Sequence, residues 1–255
     1  MPIKISIITP SFNQGQFIEK TIQSVLSQNY PNLEYIVMDG GSSDNTLAIL
    51  KKYEGKLKWF SGKDKGQSDA INKGLKMATG DVVTWLNSDD YYLPHTLKKV
   101  IEEFEKNKKT QWVTGDYKIV DEKGKQIQSF IPWYKGLLRK HPTFNMLSFG
   151  NFIIQPSTFW KREMMQSVGY LREEYHLCMD YDLWLRIIKK YQPAIIPSPL
   201  SAFRIHGTSK GKLQYGIQFE EEVQVAKQYN KNFFIILFHK IHNVLINFVY
   251  QIIKS

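Results

Sequence analysis

The sequence predicts an α/β chain of the doubly wound type, and three observations predict it. Apolar stretches of strand length alternate with segments of helical periodicity over residues 1–110, the pattern of a sheet covered by helices. Three of those stretches run out into polar turns, at residues 9–13, 39–44 and 87–90, and the last two carry carboxylates. The 255 residues suit one large domain or two small ones.

Residues 3–9 form a buried-type strand that breaks at Pro10 and the polar run Ser11, Phe12, Asn13, Gln14, Gly15. On the helix that follows, Phe17, Ile18, Thr21, Ile22, Val25 and Leu26 recur at helical spacing. Asn29, Tyr30, Pro31 and Asn32 end it. Residues 33–38 are the second strand, and a helix over 46–53 follows the turn from Asp39 to Asp44. A short third strand at 57–60 precedes a helix carrying Ile71, Leu75 and Ala78. In the fourth strand Val82, Val83, Trp85 and Leu86 are nearly continuous, as expected when both faces are covered. Asn87, Ser88, Asp89 and Asp90 stand where it runs out.

In open α/β sheets, ligands collect beyond the carboxyl ends of the strands. Adjacent carboxylates repel, so keeping Asp89 and Asp90 both ionised favours a cation or strong donors nearby. Oxygen-rich sites of this kind suit Mg²⁺ or Mn²⁺ shared with a substrate phosphate. The same residues also fit an Asx turn capping the helix after Pro94. Asp39, followed by two glycines, can accept from a uracil or ribose donor or from its own turn's amides. No G-x-G-x-x-G follows the first strand and no P-loop occurs, which argues against a dehydrogenase or a nucleotide triphosphatase.

In the second half, residues 112–120 and 126–131 flank Asp121-Glu122-Lys123-Gly124-Lys125 and predict a hairpin. Residues 132–150 read as irregular, aromatic and basic: a loop packed on the core, or an acceptor-binding or membrane-facing flap. A strand with a break at Pro156 spans 153–160, and a short helix ends at Gly169. Asp180 stands at a helix start, where the dipole favours its ionised form, as an N-cap or a general base. Asp182 and Arg186 are one turn apart and are expected to pair on the surface. His206 ends a strand, as a surface residue or, if it approaches Asp89, as part of a carboxylate–imidazole site for Mn²⁺.

Composition narrows the partners. Shares of 42% apolar and 23% charged residues are ordinary for a soluble globular protein. A net charge of +10 favours a polyanionic partner: nucleic acid, an anionic bilayer or a phosphorylated substrate. Helix-turn-helix, zinc-finger and RNP signatures are missing, which argues against nucleic acid. Cys178 is the only cysteine, which excludes an internal disulfide framework and fits a reducing compartment. The N-terminus reads as a strand rather than a signal peptide, and no uncharged apolar run reaches the roughly 20 residues of a membrane span. A cytoplasmic location is expected.

Six segments in order resemble glycosyltransferase family 2, the inverting nucleotide-sugar transferases of GT-A fold. They are Ile-Thr-Pro-Ser-Phe-Asn, Met-Asp-Gly-Gly-Ser-Ser-Asp, Asp-Ala-Ile-Asn-Lys-Gly, Trp-Leu-Asn-Ser-Asp-Asp, Met-Asp-Tyr-Asp-Leu-Trp-Leu-Arg and Phe-Arg-Ile-His-Gly. The resemblance covers residues 4 to about 207 and implies a mixed sheet with helices on both faces. It implies that Thr9 and Phe12 line a uracil pocket, with Asn13 and Ser88 beside the donor, and that Asp39 binds the base. It implies that Asp89 holds a divalent metal, Mn²⁺ or Mg²⁺, on the diphosphate, helped by Asp90 and His206, and that Asp180 is the catalytic base. Three positions depart from the family pattern. Asn87 replaces the first aspartate of Asp-x-Asp and can still bond a ribose hydroxyl. Ile71 replaces an arginine that often helps bind the donor, for which Asp69 or Lys73 can substitute. Met179 replaces a glutamate, leaving Asp180 as the single base candidate.

The resemblance divides the chain into a donor half, 1–110, an acceptor-binding and catalytic half, 111–210, and a helical tail, 211–255. Residues 207–216 read as a polar, basic, mobile linker, and residues 220–229 as a helix. From Phe233 on, Lys240, Asn243, Asn247, Gln251 and Lys254 trace a polar stripe on an otherwise apolar helix. Such a helix covers the domain's own core, lies in a membrane interface or pairs with a second subunit. No acidic residue follows Glu222, which favours an anionic surface, and a lipid-linked or saccharide acceptor is expected there. Two other readings stand beside the transferase: a non-catalytic sugar- or nucleotide-binding module of the same fold, and a basic nucleic-acid- or membrane-binding protein.

Overall fold

The computed structural model describes residues 2–209 and 215–254, with side chains over 2–209 and 216–247. Residues 210–214 of the linker expected at 207–216, and the side chains of Gln251 and Lys254 in the expected polar stripe, lie outside the described residues. The first half alternates as the apolar runs predict: β1 (Ile5–Ser11), α1 (Ile18–Leu26), β2 (Leu33–Asp39), α2 (Thr46–Lys52), β3 (Lys58–Ser61), α3 (Gln67–Met77) and β4 (Val82–Trp85). β5 (Tyr91–Tyr92), α4 (Thr96–Lys106), β6 (Trp112–Val120), β7 (Gln126–Gln128), α5 (Phe130–Arg139) and α6 (Phe144–Phe149) follow. β8 (Thr158–Lys161), α7 (Met165–Val168), α8 (Met179–Ile188), β9 (Ala194–Arg204), α9 (Tyr215–Tyr229) and α10 (Phe233–Lys254) complete the chain.

The strands form one mixed sheet in the order β3-β2-β1-β4-β8-β6-β9-β5, with β7 on the edge of β6. β3, β2, β1 and β4 are parallel, so their carboxyl ends open on one side. β8 runs antiparallel between β4 and β6, and β9 pairs parallel with β6. That arrangement brings the end of β9 back to the turn after β4, where Tyr91 pairs with Ala202.

Four tryptophans lock the centre. Trp85, Trp112, Trp160 and Trp184 are all fully buried. Trp85 stacks on Trp184 with centroids 5.7 Å apart and rings 7° from parallel, and Trp160 meets Trp85 edge-on at 5.5 Å. Such pairs contribute about 0.5–1.5 kcal/mol beyond area burial. They tie the end of β4 to α8, the helix that carries Asp180.

Two expectations are corrected here. Residues 132–150 are not irregular: they hold most of α5 and all of α6. Pro132 falls in the first turn of α5, where a missing N–H costs nothing, and Thr143 caps α6 by accepting from Met146 N at 3.2 Å. The polar stripe of the last helix does not face water throughout. Asn243 is buried against α9, donating to the Phe219 carbonyl at 3.4 Å, whereas Phe233, Phe234, Phe238, Val244 and Leu245 are exposed. The reason lies in the tail's docking: Val225 and Ala226 of α9 are fully buried in the Trp184 core, and α10 packs on α9 and α6 with Ile236 and His239 inward.

Candidate active site

A cavity of about 920 Å³ opens beyond the carboxyl ends of β1 and β4 and runs beneath α5 and α9. One wall is made by strand ends. Phe12 stands exposed at its mouth, and Asn87, Ser88 and Asp89 follow β4 into it. Asn87 Oδ1 accepts from Gln67 Nε2 at 2.9 Å, which fixes the amide in the cavity.

The neighbouring aspartates part company. Asp89 Oδ2 lies 3.0 Å from His206 Nε2, so the strand end of β9 delivers the histidine to the carboxylate. His206 Nδ1 meets Thr208 Oγ1 at 3.0 Å and Phe17 packs on the ring at 4.4 Å, which holds Nε2 toward Asp89. His206 is therefore buried, not a surface residue. Asp90 turns inward, out of the cavity lining, and accepts from Arg204 N at 2.9 Å. Burial, and then the Asp89 charge, push its carboxyl well above the usual carboxylate range.

Among the described residues no group of three or more His, Cys, Asp or Glu is placed to hold a metal. The Asp89–His206 pair fits a narrower role. One carboxylate and one oriented imidazole suit a divalent cation whose other positions are filled by water and a substrate diphosphate.

The remaining strand-end candidates sit around this wall. Thr9 is fully buried one layer behind it, its hydroxyl 3.1 Å from Tyr35 Oη. Asn13 Oδ1 accepts from Ser43 N at 2.9 Å and so ties the β1 turn to the β2 turn. Asp39 accepts from Gly41 N at 3.1 Å, Ser42 N at 3.0 Å, Ser42 Oγ at 2.5 Å and Ser61 Oγ at 2.7 Å. It borders a smaller cavity of about 170 Å³ with Lys63, Asp64 and Lys73. Asp69 pairs with Lys73 at 2.8 Å on the surface of α3, and that pairing and the Lys65 amide hold its carboxyl below the usual range.

Asp180 occupies the opposite, helical wall, in the first turn of α8. Burial pushes its carboxyl up to about 6, Glu222 adds to the rise, and the Tyr181 amide at 2.7 Å and Lys135 oppose it. Asp182, expected on the surface, is fully buried instead. It accepts from Arg186 Nη2 at 2.8 Å and Tyr229 Oη at 2.6 Å, so the pair fastens α8 to α9.

Four cavity residues had no assigned role from sequence. Arg204 enters on β9, its guanidinium 4.8 Å from the Phe17 ring and 5.4 Å from that of Tyr91. Gln67 sets Asn87, while Lys135 and Glu222 face Asp180 from α5 and α9. Their roles were not visible beforehand: Lys135 and Glu222 stand 45 and 42 positions from Asp180 in sequence, and only the fold brings them together.

Residues 6–169 match glycosyl transferase family 2. The chain is 29% identical over 216 residues to an uncharacterized glycosyltransferase of Rickettsia conorii, covering 82% of this chain and 35% of that protein. It is 25% identical over 268 residues to one of Haemophilus influenzae, covering 98% and 81%. The chain thus spans about a third of the length of the Rickettsia conorii relative. Among solved structures it is similar to the mannosyltransferase PcManGT of Pyrobaculum calidifontis in complex with GDP-Man and Mn²⁺, with TM-score 0.73, 15% identity and coverage of 94% and 70%. It is also similar to S. aureus TarS 1-349 in complex with UDP-GlcNAc, with TM-score 0.69, 18% identity and coverage of 88% and 65%. The fold is GT-A, and the chain belongs to glycosyl transferase family 2.

Proposed function

We propose that this protein is a metal-dependent, inverting glycosyltransferase that moves a sugar from a nucleotide-sugar, UDP-linked, to a hydroxyl of a saccharide or lipid-linked acceptor in surface polysaccharide biosynthesis. The observation that carries the reading is one cavity with the Asp89–His206 pair on its strand-end wall and Asp180 on its helical wall. In this reading Phe12 offers its exposed ring to the base, with Asp39, Asn13 and Asp69 shaping the turns around it. Asn87 and Ser88 take the ribose side. Asp89 and His206 would hold Mn²⁺ or Mg²⁺, which when bound neutralises charge on the leaving diphosphate.

Asp180 does the proton work. It takes the proton of the acceptor hydroxyl as that oxygen bonds to the anomeric carbon. The bond from that carbon to the diphosphate breaks on the opposite face, its electron pair leaves with the nucleotide, and the configuration inverts. A carboxyl held near 6 is mostly ionised at neutral pH yet more basic than an exposed aspartate.

The acceptor side is assigned to an anionic membrane face, on the cytoplasmic side of the cell membrane. Among the described residues no helix is long and apolar enough to cross a membrane. However, Trp133 of α5 is 59% exposed, and Phe234 and Val244 of α10 are 66% and 69% exposed. Tyr134 stacks on His242 at 5.7 Å, which joins the two helices into one surface. Neither helix contains an acidic residue and Lys240 of α10 is exposed, so that face holds no charge that would repel anionic lipid. Flotation with anionic vesicles tests this: the protein should float, and Trp133→Glu with Phe234→Glu should abolish it. Wild-type protein that stays in the soluble fraction overturns the membrane assignment.

The transferase reading is tested by release of nucleoside diphosphate from a panel of UDP- and GDP-sugars with Mn²⁺. Turnover of at least one donor is expected, lost in Asp180→Asn. Metal-dependent nucleotide binding without any turnover would favour a non-catalytic binding module instead.

A further inference from the structure

Two adjacent glutamates of α9 bear on the same point of the active site from different directions. Glu221 reaches the loop before α8. Its carboxylate accepts from His176 N at 3.0 Å, Leu177 N at 2.8 Å and Cys178 N at 2.9 Å. Cys178 is the N-cap of α8, and His176 and Leu177 lead into it, so α9 pins the approach to a helix whose own N-cap side chain makes no capping bond. Glu222 points into the cavity itself. It lines the same wall as Asp180, together with Gln218 one turn earlier on α9 and Lys135 from α5. Its carboxylate is buried, with His239 of α10 at 3.8 Å on the far side.

We propose that α9 is part of the catalytic apparatus: Glu221 positions the turn that carries Asp180, and Glu222 and Lys135 act as opposed charges that set how readily Asp180 holds a proton. The inference rests on the reading of Asp180 as the base. Its physics is simple. A buried carboxylate beside a second carboxylate resists ionisation, and an ammonium group beside it promotes ionisation. Among the described residues, the other charged or titratable groups near Asp180 are occupied or turned away. Arg139 of α5 is paired with Asp116, Asp182 of α8 is held by Arg186, and His176 lies at the cavity rim. Cys178 and Tyr181 flank Asp180, and burial keeps both neutral by raising them. Among the described residues, Glu222 and Lys135 are left as the pair whose charges act on the carboxyl with opposite sign.

This arrangement makes the two substitutions act with opposite sign. A structural defect would not do that. The experiment follows the side-chain carboxyl carbon of Asp180 by NMR across pH 4–9, with its signal assigned by loss in Asp180→Asn. In the wild type the inflection is expected near 6. Glu222→Gln should lower it by on the order of one pH unit and Lys135→Met should raise it by a similar amount. Glu222→Asp, which keeps the charge and guards against a folding defect, should restore most of the wild-type value. An inflection that Glu222→Gln leaves in place, or that both variants shift in the same direction, overturns the proposal. In either case an inactive Asp180→Asn leaves the base assignment standing. An Asp180→Asn variant that still turns over removes that assignment, and this proposal with it.

Discussion

The two walls of the cavity hold their functional side chains in different ways. On the strand-end wall each residue is placed by the parallel register of its own strand and by bonds across short turns. Asp39 is bound by Gly41, Ser42 and Ser61, and Asn13 bridges to Ser43. On the helical wall the residues arrive from α5, α8 and α9 and are held by long-range contacts, such as Glu221 on the loop before α8 and Tyr229 on Asp182. The first wall is a feature of the sheet. The second is completed by Gln218 and Glu222 of the tail helix α9. Substitutions on the strand-end wall should therefore lower donor binding with little loss of stability. Those on the helical wall should separate chemistry, proton affinity and stability from one another.

The largest effect is expected at Asp180. Asp180→Asn should lower kcat by about 10²–10⁴-fold, the usual contribution of a general base, while UDP affinity by calorimetry stays within about twofold. Retained turnover, or lost nucleotide binding, would break the division between the walls. Next is the joint between α8 and α9, which together support the helical wall. Asp182→Ala leaves Arg186 and Tyr229 without their buried partner, and urea unfolding should show a loss of about 3–5 kcal/mol. A loss under about 1 kcal/mol would mean that the tail docks independently of this contact.

A subtler effect comes from the raised proton affinity of Asp180. Its folded-state value of about 6 lies above the ordinary aspartate value of 3.8, so folding costs nothing on this account below that lower value. The cost grows as pH rises between the two and is complete above the upper one. Asp180→Asn should therefore stabilise the protein by on the order of 1–2 kcal/mol at pH 8, less than the shift taken alone implies because the site is open to water. The gain should vanish near pH 4. A pH-independent gain would contradict the buried-charge account. The same group predicts that kcat/KM of the wild type rises through pH 6 on its acid limb.

The contrast between the walls also explains what the sequence revealed. The four parallel strands and the turns after them were legible because each is encoded by a local apolar run and its break. The union of Asp89 with His206 was foreseen only as a condition, since it depends on β9 returning beside the β4 turn. The inward turn of Asp90 was not legible: one carboxylate looks like the next until Arg204 offers its amide. Nor were α5, hidden behind Pro132 and aromatic residues, or the part of α9, since Glu221 and Glu222 look like ordinary solvated charges on a helix. Asp182 was misplaced for the same reason: spacing shows that it can pair with Arg186 but not that it is fully buried, with Tyr229 bonded to its other oxygen.

Asp89 and His206 are proposed to present a divalent cation to a nucleotide diphosphate on the strand-end wall. This role is tested most directly by calorimetric titration of UDP, with GDP alongside, into wild type, Asp89→Ala and His206→Ala, in Mn²⁺ and in EDTA. Binding in Mn²⁺ should weaken at least about tenfold, or about 1.4 kcal/mol, in EDTA and in either variant. Equal affinity in Mn²⁺ and EDTA, or in wild type and Asp89→Ala, would contradict it.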